Sequence, residues 1–235
     1  MKNYRALKIA EIVTDDIRTA EVFKNVGIDF CCGGNQNLGE ACKEFNIDLE
    51  KLESSLASIE NKSPDSAHNN YKDWNVDFLC DYIVNTHHKT VLRLLPQIVA
   101  YTQKIAEVHG SNHPELLEIE ELFAQINTEL LQHLDHEETV LFPAIKKQLH
   151  AGNEENKAII ISEITRMTGE HEFAGGAMDH INKISKNYAV PEDGCNTYRV
   201  AYKLLEEFED DLHVHVHLEN NILYPKALVL AHQIV

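Results

Sequence analysis

"DLHVHVHLENNILYPKAL", residues 211–228, admits two readings. His213, His215 and His217 alternate with Val214 and Val216, the period of two that marks a strand. His215 and Glu219 lie four apart, a spacing that on a helix places an imidazole and a carboxylate on one face. The flanking residues decide between the two. Leu205, Phe208, Leu212, His215, Glu219 and Ile222 keep the 3,4 spacing of a bundle helix over several turns, whereas the alternation is confined to 213–217. The stretch is predicted to be helical, with a histidine and a glutamate inside its apolar stripe.

Three more stripes of this kind precede it. They run Val84, His88, Val91, Leu95, Ile98; then Phe123, Ile126, Leu130, His133, Glu137, Val140, Ala144; then Ile160, Ile164, Met167, His171, Ala174, Met178, Ile181. Each points at a shared core and each is interrupted by histidine, so the predicted fold is all-α, a four-helix bundle. The quoted stretch also has a twin. "HLDHEETVLFP" (133–143) and "HVHLENNILYP" (215–225) both fit H-x3-E-x2-[VI]-L-[FY]-P. Between His88 and His133 the separation is 45 residues, and between His171 and His215 it is 44. The bundle therefore reads as two related helix pairs, each contributing one His and one His-x3-Glu.

A buried carboxylate without a partner costs several kcal/mol, and a buried imidazole still needs hydrogen bonds. Lys and Arg are absent from the facing stripes, so two metal ions are the expected counter-charge for Glu137 and Glu219. His88, His133, Glu137, His171, His215 and Glu219 then make a pseudo-symmetric dinuclear site, each glutamate able to bridge and each metal taking two imidazoles. That is about four protein ligands per metal, which leaves room for an oxo or hydroxo bridge and one open position on a six-coordinate ion. Mixed N/O ligation favours iron, with manganese second; zinc prefers fewer ligands in a tetrahedron. His136 and His87 stand in reserve beside this set. His213 and His217 are expected to be solvated, since they are rotated by about 200° from His215. His109 is in phase with the first stripe, but at about 1.5 Å per residue it lies about 30 Å beyond His88. Gly175 and Gly176, one turn after His171, either open a gap to the metals or serve close helix packing.

The rest of the chain sets the context. A net charge of −17 argues against nucleic acid and anionic membrane surfaces as partners. No apolar run is long enough to span a bilayer, and the N-terminus turns acidic where a signal peptide would be apolar, so a cytoplasmic protein is expected. Five cysteines, two of them adjacent, do not form a secreted disulfide framework. The polar stretch "ENKSPDSAHNN" (60–70) divides a small N-terminal unit, 1–60, from the bundle, 76–235, with a linker at 61–75. In the small unit, Thr14 or Asp15 is expected to cap a helix that stops near Gly27, and Asp48 another from Leu49. Between them "GIDFCCGGNQNLGEAC" is a glycine-rich turn carrying Cys31 and Cys32, which read as an iron- or sulfur-handling pair, a reversible thiol switch, or simply small residues in a tight turn. Neighbouring glycines can expose backbone N–H groups that would lower a thiol pKa. A disulfide between adjacent cysteines is strained, and a resting one is not expected. Cys42, Cys80 and Cys195 are taken as structural.

The order His, His-x3-Glu, His, His-x3-Glu resembles the hemerythrin-like di-iron domains. Together with "DFCCGG" in a short N-terminal unit, it is similar to the Repair of Iron Centers family, with its ScdA-type N-terminal domain. The resemblance covers nearly the whole chain. It implies a cytoplasmic non-haem di-iron protein that restores iron–sulfur or other iron centres damaged by nitric oxide or oxidants, with the six donors above as iron ligands and Cys31 and Cys32 as a redox or iron-handling pair. Its partners would be the damaged iron proteins and small diatomic molecules, NO and O2. It also implies a difference from oxygen-carrying hemerythrins, which have five histidines and an aspartate in place of the last glutamate; one imidazole fewer suits a donor of iron better than a carrier of oxygen. Two other readings use the same site: an enzyme that reduces nitric oxide or activates oxygen, and an O2 or NO sensor. Neither H-E-x-x-H nor E-x-x-H occurs, which weakens the zinc-protease and ferritin-like carboxylate-oxidase readings and leaves nitric oxide chemistry open.

Overall fold

A computed structural model describes residues 3–60 and 70–232. The N-terminal unit contains α1 (Ile9–Asp15), α2 (Ala20–Val26), α3 (Leu38–Glu44) and α4 (Leu49–Glu60). The bundle is built from four rods. The first joins α5 (Val76–Ile83) to α6 (Lys89–His109), and the second joins α7 (Glu115–His136) to α8 (Phe142–His150). The third is α9 (Glu154–Ile184), and the fourth joins α10 (Asn196–Leu218) to α11 (Tyr224–His232). No strand occurs among the described residues, so the helical reading of 211–228 holds. Of the expected linker, 61–69 lie outside the described residues; Tyr71–Asp73 form a 3₁₀ turn, and Lys226 donates to the Lys72 and Trp74 carbonyls at 2.6 Å each.

Each two-part rod is joined by a π turn, at Val84–His88, Glu137–Leu141 and Glu219–Leu223. A π turn inserts a residue and rotates the helix beyond it, and such turns cluster at functional sites. This corrects two stripe positions: Val84 and Val140, predicted to face the core, are half-buried, while Ile83 and Leu141 are buried. Pro143 and Pro225 lie just after the π turns, in the first turn of α8 and α11, and do not end their rods. The widened turn leaves room for a ring that would clash with the carbonyl four residues back in a regular helix.

The apolar interior falls into two clusters. One gathers Val91, Leu95, Leu130, Leu134, Ala174, Leu212 and Val216 and runs on into Phe23, Phe30 and Leu38 of the N-terminal unit. The other gathers Ile83, Leu141, Met167, Ile222 and Leu223. On every rod the donors named above lie where the first set gives way to the second.

The caps of the small unit differ from expectation. α1 already ends at Asp15, and Asp16 caps the next 3₁₀ turn by accepting from Arg18 N at 3.1 Å. Asp48 caps α4 as expected, accepting from the Glu50 and Lys51 amides. Gly27, at φ +71°, closes α2. Thr14 faces the bundle instead, its hydroxyl 3.3 Å from Nε2 of His217.

His217 is thus a second correction. It is fully buried and His213 half-buried, because Phe30 sets its ring edge against both, at 5.8 and 5.9 Å. Nδ1 of His217 donates to the Phe30 carbonyl at 3.4 Å. The face of α10 that looks outward from the bundle is covered by the N-terminal unit.

Burial holds the His217 imidazole down at about 4, against a small upward pull from its bond to Phe30. The unfolded chain, at about 6.5, therefore binds the proton more readily, and stability is lost as pH falls from about 6.5 to about 4, by about 3 kcal/mol in all. Urea unfolding of wild type and His217→Gln should show this: the wild-type minus variant difference falls by about 2–3 kcal/mol between pH 7 and pH 4.

Candidate metal centre

The 3,4 spacing brings His88, His133, Glu137, His171, His215 and Glu219 together at the middle of the bundle, all at most 2 % exposed. Their donor atoms form two groups, each with all atoms within 4.8 Å of one another: His88, Glu137, His215 and Glu219, and His133, Glu137, His171 and Glu219. Both glutamates belong to both groups. The pairing runs across the repeat, since each group takes one histidine from either half of the sequence.

All four Nε2 atoms face the carboxylates. His88 and His133 lie 3.3 and 3.4 Å from Glu137 Oε2, and His171 and His215 lie 3.2 and 3.0 Å from Oε2 and Oε1 of Glu219. Three of the rings are held from behind through Nδ1: His88 donates to Glu138 and His133 to Glu170, both at 2.8 Å, and His171 donates to Asn220 Oδ1 at 2.9 Å. That fixes the tautomer and leaves Nε2 with its lone pair inward. The Tyr224 hydroxyl donates to Glu137 Oε1 at 2.7 Å. Phe142 stacks on His88 and Tyr224 on His171, at 5.7 and 5.9 Å, so the repeat extends to the aromatic walls.

The residues fit a pair of cations. His88 Nε2, Glu137 Oε2 and Glu219 Oε2 are buried without hydrogen-bond partners, and Nε2 of His133 and His171 point at each other across 3.1 Å. A buried polar atom left unmatched is costly, and here three of them converge with the two facing imidazole nitrogens on two positions. In the metal-free centre protons take the cations' part. Burial disfavours charge on His88 and His133, yet the glutamates outweigh it and pull both up to about 10. Burial and Glu219 would raise Glu137, but His133 and His88 hold it at about 2; Glu219 lies well below the usual carboxylate range, drawn down against its burial by His215 and His171.

The reserve histidines stay out of both groups. His136 pairs with Glu163 at 3.3 Å. His87 is buried, stacked on His215 at 5.5 Å with Nδ1 on Asp211 at 3.0 Å. His109, at the end of α6, has Nε2 3.3 Å from Cys195 Sγ.

Cys31 and Cys32 are free thiols with Sγ atoms 4.0 Å apart. The Asp29 carboxylate accepts from the amides of Cys31, Cys32 and Gly33 at 2.8, 3.0 and 2.7 Å. This reverses the expected effect of the turn: its N–H groups are spent on a carboxylate, and Cys31 is raised by its bond to Cys32, by burial and by Asp29. Gly34 is required, because a Cβ would stand 2.4 Å from the Phe30 carbonyl oxygen. A Cβ on Gly175 would stand 3.7 Å from Cys32 Sγ, an ordinary van der Waals contact, and one on Gly176 would meet nothing within 4 Å, so close helix packing does not require glycine at either position. A cavity of about 190 Å³ lies between Cys31, Cys32, Asn220, Asn221 and Tyr224. Asn220 Nδ2 reaches Cys32 Sγ at 3.8 Å while its oxygen holds His171. Asn220 and Tyr224 were missed in the sequence; their signal is their place in the repeat, opposite Glu138 and Phe142.

Comparison with known proteins agrees with this layout. Residues 6–60 match the ScdA_N domain, a domain of unknown function, and residues 81–227 match the hemerythrin HHE cation-binding domain. The chain belongs to the Repair of Iron Centers family. It is 34 % identical over 220 residues to the iron-sulfur cluster repair protein ScdA of Staphylococcus epidermidis, covering 93 % of this chain and 96 % of that one. ScdA of Staphylococcus haemolyticus is 33 % identical over 218 residues, with the same coverage. The iron-sulfur cluster repair protein YtfE of Yersinia pestis is 32 % identical over 231 residues, 96 % of this chain and 98 % of that one. No helix among the described residues is long and apolar enough to cross a membrane.

The supports behind the imidazoles should matter for this family's centre. Glu138→Ala and Asn220→Ala are each expected to weaken metal retention by about 10–100-fold while leaving the helical spectrum unchanged, measured as the rate of metal loss to a chelator.

Proposed function

We propose that this protein repairs iron–sulfur or other iron centres damaged by nitric oxide or oxidative stress, in the cytoplasm, by donating iron to them. The observation that carries this reading is the pair of buried glutamates, each within reach of two imidazoles from either half of the repeat, in a chain related over most of its length to iron-sulfur cluster repair proteins. His88, His133, Glu137, His171, His215 and Glu219 are taken as the ligands of two iron ions, bridged by the glutamates and an oxo or hydroxo group. All-N/O donors in a closed helical cage suit iron. The chain is divided as 1–60, 61–75 and 76–235.

When bound, the iron pair supplies ligand exchange and is itself the cargo. The chain's part is set by its own atoms. Glu138, Glu170 and Asn220 keep three imidazoles aimed inward, and Tyr224 holds Glu137. The two apolar clusters exclude water on either side of the centre. As charge leaves the centre, Nε2 of His88 and His133 take up protons beside the carboxylates, so the emptied cage is not left with bare buried charge. Cys31 and Cys32, at the wall of the 190 Å³ cavity, are taken as the pair that handles iron on its way to or from the client.

Iron content and optical spectrum, measured on protein purified without added metal, test the centre. Wild type should hold two irons per chain with oxo-bridged ferric bands, and Glu137→Ala/Glu219→Ala close to none; zinc, or no metal in folded wild type, would overturn the reading. Incubation with a protein whose cluster has been destroyed by nitric oxide tests the donor role. Stoichiometric loss of iron with recovery of the partner supports it, and catalytic consumption of NO or O2 with the iron retained overturns it. In the same assay Cys31→Ser/Cys32→Ser should keep its iron but transfer it at least about tenfold more slowly.

A further inference from the structure

α10 carries metal-binding spacing on two faces. His215 and Glu219 face the bundle centre; Glu209 and His213, also four apart, face the N-terminal unit. Across from them α9 contributes Asp179. We propose that Asp179, Glu209 and His213 form a second, mononuclear site for a divalent cation of the Fe(II) or Mn(II) class, in the cleft between the N-terminal unit and the bundle.

One donor atom from each of the three residues lies within 4.8 Å of the others. They share a cavity of about 660 Å³ with Asp29, Asn182 and Tyr188. Glu209 is 2 % exposed, an unusual place for a carboxylate. Its Oε2 accepts from Asn182 Nδ2 at 2.9 Å, and the lysine on this cleft, Lys24, is paired with Asp210. Burial pushes the Glu209 carboxyl up to about 7, which is the response of an acid enclosed with too little positive charge. A cation would supply that charge.

Tyr188 closes the same position from the other side of Glu209. Its side chain is 8 % exposed and lines the cavity beside Glu209, with its buried hydroxyl turned toward Glu209 and Asn182. The backbone that brings it there is unusual: Lys186, Asn187 and Tyr188 all have φ of 56–57°, a left-handed run that L-residues resist. The turn is held by bonds from Tyr188 N to Ser185 Oγ and from Asn187 N to the Asn182 carbonyl. One imidazole and two carboxylates, with a phenol and an amide alongside, are an N/O set suited to Fe(II) or Mn(II) and not to soft Cu(I). Asp29, whose carboxylate closes the cysteine turn, lines the cleft as well, so a ferrous ion held here would stand beside that turn.

The site is independent of the metal at the bundle centre, and so is its test. Full-length protein with its central site filled and excess metal removed is titrated anaerobically with Mn(II), and free Mn(II) is monitored by its EPR signal. Wild type should take up one further Mn(II) per chain. Asp179→Asn, at an exposed position, and Glu209→Gln/His213→Ala should each bind it at least about tenfold more weakly while keeping the central metals. No additional uptake by wild type, or equal uptake by both variants, overturns the proposal. Loss of the central metals in Asp179→Asn would make the two one system and overturn it also. If the central site proves to hold something other than iron, the difference of one Mn(II) between wild type and variants still decides.

Discussion

Two carboxylates buried at the centre of an apolar bundle impose the constraint that organises this protein. Glu137 and Glu219 are fully inaccessible to solvent. Ionised side chains in that position demand either cations or protons on their neighbours, since the desolvation penalty is several kcal/mol per charge. The four imidazoles that face them can give either response, accepting metal at Nε2 or holding a proton there. This explains why the apolar interior is interrupted on all four rods at one level, and why the outer edges of three imidazoles carry acceptors of their own. A hydrophobic bundle of the same length would be simpler to stabilise; this one keeps a polar centre at the cost of dividing its core.

How much of this can be read in the chain depends on the range of the interaction. His88, His133, Glu137, His171, His215 and Glu219 were legible because helical spacing is local and because the motif occurs twice, so each half tests the other. The π turns were not legible. Their signal is a one-residue slip of phase at Val84 and Val140, smaller than the tolerance of any stripe. The burial of His217 was hidden for a different reason: its face of α10 is covered by Phe30, from the N-terminal unit, and nothing within the helix announces a partner so distant in sequence. The direction of the Cys31 shift failed on chemistry more than on range. Glycine-rich turns do present N–H groups, but here Asp29, two residues before Cys31, had already claimed them.

The repeat is symmetric in its metal donors and asymmetric in what supports them, and the docked N-terminal unit accounts for the difference. Position 138 and position 220 correspond, and each accepts from Nδ1 of a histidine on a neighbouring rod. Glu138 is partly open to solvent, where a carboxylate is well hydrated and strengthens the ring it holds. Asn220 lies under Cys32, where a second buried charge close to Glu219 would be costly, and an amide can serve the histidine and the thiol at once. Phe142 and Tyr224 diverge in the same sense: both stack on an imidazole, but the tyrosine adds a hydroxyl bond to Glu137, and burial beside the glutamates keeps that hydroxyl protonated. The two metal positions are therefore inequivalent. The one built on His133 and His171 takes the charged support of Glu170 and the neutral support of Asn220, and lies toward the cysteine turn. The one built on His88 and His215 has the charged support of Glu138 behind His88 and none behind Nδ1 of His215, and His87 stacks on its outer side. A charged acceptor behind an imidazole strengthens its hold on metal more than an amide does. Each position thus has one imidazole backed by a carboxylate, and the two differ at the second: His171 is held by the amide of Asn220 on the side nearest Cys32, whereas Nδ1 of His215 is buried without a hydrogen-bond partner.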